Sequence, residues 1–176
     1  RELVKKLSDE NSTTGNEKTE DLANYTKLND KRMKRWDKTL KVSTAAQNII
    51  TEFEHEITWL VIIESWCGDG AHMLPVLNKL AELNNHINLK IVLRDENPEL
   101  MDLFLTFGSR SVPKLIILDD ETGEAKIKQY TEYIRLDPTS IAFIVDADGR
   151  LGYSDTGAKV TVCPDPAHRH ERVMYS

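Results

Sequence analysis

Hydrophobic and polar positions change period several times along the chain, and each change marks an element. Leu22, Tyr25, Leu28, Met33, Trp36 and Leu40 follow one another at steps of three, three, five, three and four, predicting one stripe of an amphipathic helix. Val42, Ala45, Ala46, Ile49, Ile50 and Phe53 recur at i, i+3, i+4, i+7 and i+8, with Ser43 placed to cap a second helix. Thr58–Ile63 (TWLVII) is apolar without alternation and rich in β-branched residues, which predicts a strand buried on both faces. After the polar turn SWCGDG, residues Met73, Leu74, Val76, Leu77, Leu80, Ala81 and Leu83 predict a helix. Leu89–Leu93 reads as the next strand, and Pro98 opens a helix carrying Leu100, Met101, Leu103, Phe104 and Phe107. Lys114–Leu118 is a third strand, and Asp119–Glu124 (DDETGE) reads as a hairpin turn into a fourth. Two helices, then strand, helix, strand, helix, strand, turn and strand imply a three-layer α/β fold whose one sheet mixes parallel and antiparallel strands.

The two ends depart from this rhythm. Residues 8–21 are polar and almost free of apolar side chains, as expected of a loop or mobile arm. Beyond about Ile134, Ile141–Val145 and Leu151–Tyr153 flank Asp146–Gly149 (DADG), a second hairpin signal, and Lys159–Val162 reads as a short strand. Gly157 stands where a calcium loop would need a bidentate glutamate, so DADG is a turn. The expected organisation is an N-terminal arm with helices over 1–55, a core over 56–134, and a tail over 135–176.

Composition narrows the function. The 176 residues suit a single decorated domain, and 40 % hydrophobic with 30 % charged residues is the balance of a chain with a real core. Apolar runs such as Trp59–Ile63 stop at five residues, far too short to span a bilayer, so no membrane role is expected. A net charge of −6 argues against nucleic acid, and the basic run KRMKRWDK, flanked by Asp30 and Asp37, reads as a solvated helix face. Two cysteines build no disulfide scaffold and do not look like structural crosslinks, which favours the cytoplasm.

Candidate chemistry gathers at Cys67. The turn Trp66-Cys67-Gly68-Asp69-Gly70 joins a buried strand to a helix, whose N-terminal N–H groups and dipole favour a thiolate over a thiol. The flanking Gly and Asp suggest an exposed, nucleophilic cysteine, the alternative being a small buried residue that only packs. Val112-Pro113, directly before the third strand, is a position where a cis bond costs little. His72 reads as a surface residue near the first helical turn. Cys163, His168 and His170 give C-x4-H-x-H, which matches no standard zinc module, so no metal is assigned.

Taken together, residues 59–118 resemble the thioredoxin family. Trp66-Cys67-Gly68 is similar to that family's W-C-G-x-C motif, and Ser111-Val112-Pro113 is similar to its cis-proline loop, 46 residues beyond the cysteine. Tyr25–Asn29, Arg32–Arg35 and Val92–Asn97 resemble more closely a bacterial branch with a helical N-terminal extension, so the likeness covers roughly residues 13–125. It implies a thioredoxin-like three-layer α/β/α sandwich with mixed sheet, N-terminal helical extension and irregular C-terminal tail. It also implies Cys67 as nucleophile, Val112 and Pro113 as the substrate-orienting element, and no cofactor.

The sequence departs from the family pattern where the resolving cysteine would stand (Gly70), where the buried acid would stand (Val61), and in the tail. The expected activity is thus single-cysteine thiol–disulfide exchange through a mixed disulfide at Cys67. A low-molecular-weight thiol such as glutathione, a thiol- or disulfide-bearing partner protein, or Cys163 would resolve it. Oxidation of Cys67 to a sulfenic acid is a further route. Asp69 is expected to cap the helix, with general-base work as the alternative, and Trp66 to pack beside the thiol. The competing reading is a non-catalytic binding or adaptor module that uses the groove between Cys67 and Pro113.

Overall fold

The computed structural model describes residues 1–106 and 108–122, Ala125, and the backbone of two short strands at 143–145 and 151–153. The central strand is β1 (Ile57–Ile63), which pairs in parallel with β2 (Ile87–Leu93) and antiparallel with β3 (Lys114–Asp119), giving the order β2-β1-β3. The register sets Trp59 between Leu89 and Ile117, and Val61 between Ile91 and Leu115. Being central, β1 is covered on both faces, which is why its apolar run does not alternate.

The two faces meet different helices. Ile57, Trp59, Val61 and Ile63 point to one side, where α3 (Thr44–Thr51) and α4 (Gly68–Ala81) supply Ile50, Met73, Val76, Leu77 and Leu80. Ile62 and Ile116 point to the other and meet Met101 of α5 (Pro98–Asp102), with Phe104 packed alongside. The result is the three-layer arrangement. Each fully buried aliphatic side chain here contributes ~1.5–3 kcal/mol. Ser43 caps α3 as expected, its Oγ accepting from Ala46 N–H at 3.3 Å.

Three elements differ from the sequence reading. First, α5 ends at Asp102 and does not run on to Phe107. Leu103 and Phe104 turn back onto Leu100 and Met101 in i→i+3 bonds, and Leu103 is 64 % exposed, so the apolar run closes a turn and presents no helical face. Phe107 lies outside the described residues.

Second, a helix α1 (Glu2–Asp9) precedes the polar stretch, and that stretch is no mobile arm: Thr13 and Thr14 are buried. Third, α2 (Glu20–Thr39) forms where predicted, with Thr19 as its cap, yet its packed face overlaps the expected stripe only in part. Tyr25 and Leu28 are exposed, while Ala23, Thr26, Asn29, Asp30 and Met33 are buried. Met33 is buried and Leu22, Trp36 and Leu40 are half-buried as the stripe predicted, but most of their neighbours on the packed face are polar, so periodicity found part of the face and missed Thr26, Asn29 and Asp30.

The hairpin turn is present, with Asp119 Oδ1 accepting from the backbone of Glu121 and Thr122 and an antiparallel bridge joining Leu118 to Ala125. Strands β4 (Phe143–Val145) and β5 (Leu151–Tyr153) pair antiparallel around DADG. The fourth core strand beyond Ala125, Lys159–Val162, and the segment with Cys163, His168 and His170 lie outside the described residues. Among the described residues no helix is long and apolar enough to cross a membrane.

Candidate functional site

The site is built where β1 hands over to α4. Beyond Ile63 the chain turns through Glu64, Ser65 and Trp66, and Cys67 takes the N-cap position of α4, its N–H bonded to Glu64 O at 3.1 Å. Across from it lies the loop before β3, where the Val112–Pro113 peptide bond is cis. The Cys67 thiol donates to Val112 O at 3.5 Å, so the two halves of the sequence motif, 45 residues apart, meet directly. Val112 and Pro113 are half-buried and Cys67 is 6 % exposed.

That burial overturns one expectation. A helix N-terminus in an exposed turn would lower the thiol pKa; here burial, reinforced by the Asp69 carboxylate, pushes it up to about 11. The backbone N–H groups of Gly70 and Asp69, and the Arg94 charge, favour the thiolate but are outweighed. No capping hydrogen bond closes onto the sulfur. Asp69 does not cap the helix either: its side chain makes no hydrogen bond or ion pair with a described residue.

A second thiol at position 70 would require the Ile63 side chain to move. A Cβ added to Gly70 would lie 2.1 Å from Ile63 Cδ1, inside van der Waals contact, so with Ile63 in this rotamer the first turn of α4 packs onto β1 through a glycine. Val61 is fully buried among apolar side chains.

Polar residues that carry no apolar signal hold the motif in place. Ser65 Oγ lies 2.9 Å from Thr26 Oγ1 and 3.2 Å from Thr13 Oγ1, and accepts from Thr14 N–H at 2.9 Å. Ser65 N–H donates to Thr14 Oγ1 at 2.8 Å, and Asn29 Nδ2 donates to Ser65 O at 2.9 Å. These groups satisfy one another out of water, which is what lets a polar segment be buried. Nearby, Gly15 adopts φ +94°, and a Cβ there would press to 2.9 Å from Asp95 Oδ2 and 3.3 Å from Trp66 Nε1.

Trp66 is half-buried, with the Arg94 guanidinium 5.0 Å above its ring and Arg94 Nε bonded to Asp95 at 2.7 Å. Glu64 is buried behind it, one carboxylate oxygen accepting from Asp95 N–H at 2.8 Å. His72 is not a free surface residue: Trp36 Nε1 donates to its Nδ1 at 2.7 Å, joining α2 to α4. Burial and the Arg32 charge hold its pKa below the usual histidine value.

A family model described as Thioredoxin matches residues 15–135. The chain belongs to the thioredoxin family. That match begins in the arm at Gly15 and takes in α2, so the family segment includes the helical extension as well as the sheet. Among solved structures, the chain is similar to a protein of unknown function from Pseudomonas aeruginosa, at 19 % identity and TM-score 0.45, over 56 % of this chain and 59 % of that one. It is also similar to an HIV epitope-scaffold, at 20 % identity and TM-score 0.46, over 59 % of this chain and 62 % of that one. The chain thus spans about three-fifths of the solved chains it matches. No curated protein matches it.

Proposed function

We propose that this thioredoxin-family protein carries out thiol–disulfide exchange with Cys67 as its single nucleophile. The observation that carries the reading is the contact between the Cys67 thiol and Val112 O beside the cis Val112–Pro113 bond. A nucleophile and the backbone edge of a half-buried loop stand together, and an extended disulfide-bearing segment laid along Val112 would bring its sulfur to Cys67. The site takes Trp66, Gly68, Asp69 and Gly70 as its loop, Val112 and Pro113 as its orienting element, and no metal.

The step is simple to balance. Cys67 Sγ attacks one sulfur of a disulfide, a new S–S bond forms, and the old one breaks. The departing sulfur leaves with the electron pair and takes up the proton that Cys67 gives up, so Cys67 is oxidised to the mixed disulfide and the leaving group is reduced to a thiol. With glycine at position 70, a second thiol from outside, glutathione or a partner's cysteine, attacks the mixed disulfide and returns Cys67 to its thiol. A raised pKa makes the resting thiol slow but keeps the sulfur intrinsically nucleophilic once deprotonated.

The second reading, a binding module without turnover, is favoured by that same buried, proton-retaining thiol and by the tight packing at Gly70. Glutathione disulfide separates the two when offered to a Cys163→Ser protein and followed by intact mass. One glutathione adduct, released by added reduced glutathione and absent from the Cys67→Ser/Cys163→Ser protein, is the expected result. A protein that stays unmodified while still retaining a partner would instead establish the binding module.

A further inference from the structure

We infer that Arg32, brought to the redox motif by α2, selects disulfides that carry a carboxylate close to the reacting sulfur. The inference deepens the exchange reading and rests on it. Gly68 directly follows Cys67, and a Cβ added there would stand 3.1 Å from Arg32 Nη1, so the guanidinium lies over the first residue of α4. Its position is fixed by a chain of two hydrogen bonds. Arg32 Nη1 donates to Asn29 Oδ1 at 3.0 Å, and Asn29 Nδ2 donates to Ser65 O at 2.9 Å, with Asn29 itself only 1 % exposed. An arginine on α2 is thereby tied to the backbone two residues before the thiol.

Its charge is not spent. The remaining N–H groups of the guanidinium find no partner, and the charge no carboxylate, among the described residues. The other arginine at the motif differs: Arg94 lies over Trp66 and gives its charge to Asp95 at 2.7 Å. Asp69, on the same turn as Gly68, does not close an ion pair with Arg32. A half-buried guanidinium with open donors, held over a glycine next to the nucleophile, is the group arginine uses to take a carboxylate through two parallel hydrogen bonds. A clamp whose only task was to hold Asn29 would need one donor and no charge.

Two aromatic disulfides of opposite electrostatic character test this: 5,5′-dithiobis(2-nitrobenzoate), whose carboxylates are ionised, and neutral 4,4′-dithiodipyridine. Both report each exchange by the absorbance of the thiol released. In the Cys163→Ser background, Arg32→Gln, which keeps a donor for Asn29, is expected to slow the anionic reagent about fivefold while leaving the neutral one within about twofold. Arg32→Lys restores part of the anionic rate, and added salt erodes the anionic advantage of the parent protein. Equal changes in both rates, up or down, or no change in either, would overturn the role of Arg32 and leave exchange at Cys67 standing. Failure of the parent protein to react with either reagent would remove the exchange reading and this inference with it.

Discussion

Cys67 shows how little a residue's neighbours in sequence say about its chemistry. The motif around it was legible because Trp, Cys and Gly stand between an apolar run and a helical stripe. What was not legible is its proton affinity, because the carbonyl that takes its thiol hydrogen comes from 45 residues away and the burial comes from packing. Gly70 makes the same point from the other side. Its identity shows that a second thiol is missing, but only the 2.1 Å approach to Ile63 shows that one would have to displace a core side chain. Gly70→Cys is therefore expected to destabilise the fold by ~1–3 kcal/mol in a urea titration, and Ile63→Ala in the same chain to recover part of that loss. A Gly70→Cys protein as stable as the parent would show that β1 and α4 yield at this point.

At the scale of elements, the helical extension is the part that pattern reading placed least well. Of the apolar stripe on α2, Met33 is buried and Leu22, Trp36 and Leu40 are half-buried, but Tyr25 and Leu28 are left exposed. Beside Met33 the buried face carries Thr26, Asn29 and Asp30, polar groups whose partners lie in the arm, at Arg1, within α2 and in the redox loop. Buried polar residues that satisfy each other read in a sequence like a solvated surface, so Thr13, Thr14, Asn29 and Ser65 carried no signal beforehand. Ser65 is the common partner of the three threonine hydroxyls of Thr13, Thr14 and Thr26. Ser65→Ala leaves Thr14 N–H without its acceptor and is expected to cost ~1–3 kcal/mol. The loss should fall first on the arm, seen as faster amide hydrogen exchange over residues 11–16 than in β1. Unchanged exchange in the arm would mean that the hydroxyl cluster does not hold it.

Across the whole molecule, the alternation of strands and helices was enough to give the three layers, because β1, α4 and β3 bury long apolar sets whose periods are unambiguous. The polar docking of the arm and α2 onto the motif, with Arg1 tied to α2, was not, since it depends on pairings between distant polar side chains. The division into arm with helices, core and tail remains a proposal, with the arm now assigned the task of bracing the redox loop. The most direct measurement of exchange at Cys67 is the rate at which the Cys163→Ser protein reacts with 4,4′-dithiodipyridine as pH is raised. A thiol that keeps its proton to about pH 11 predicts a rate climbing roughly tenfold per pH unit from neutrality to about pH 10, without a plateau. A plateau below about pH 9 would contradict the burial of the thiol, and a rate no higher than that of the Cys67→Ser/Cys163→Ser protein throughout would contradict exchange at Cys67 altogether.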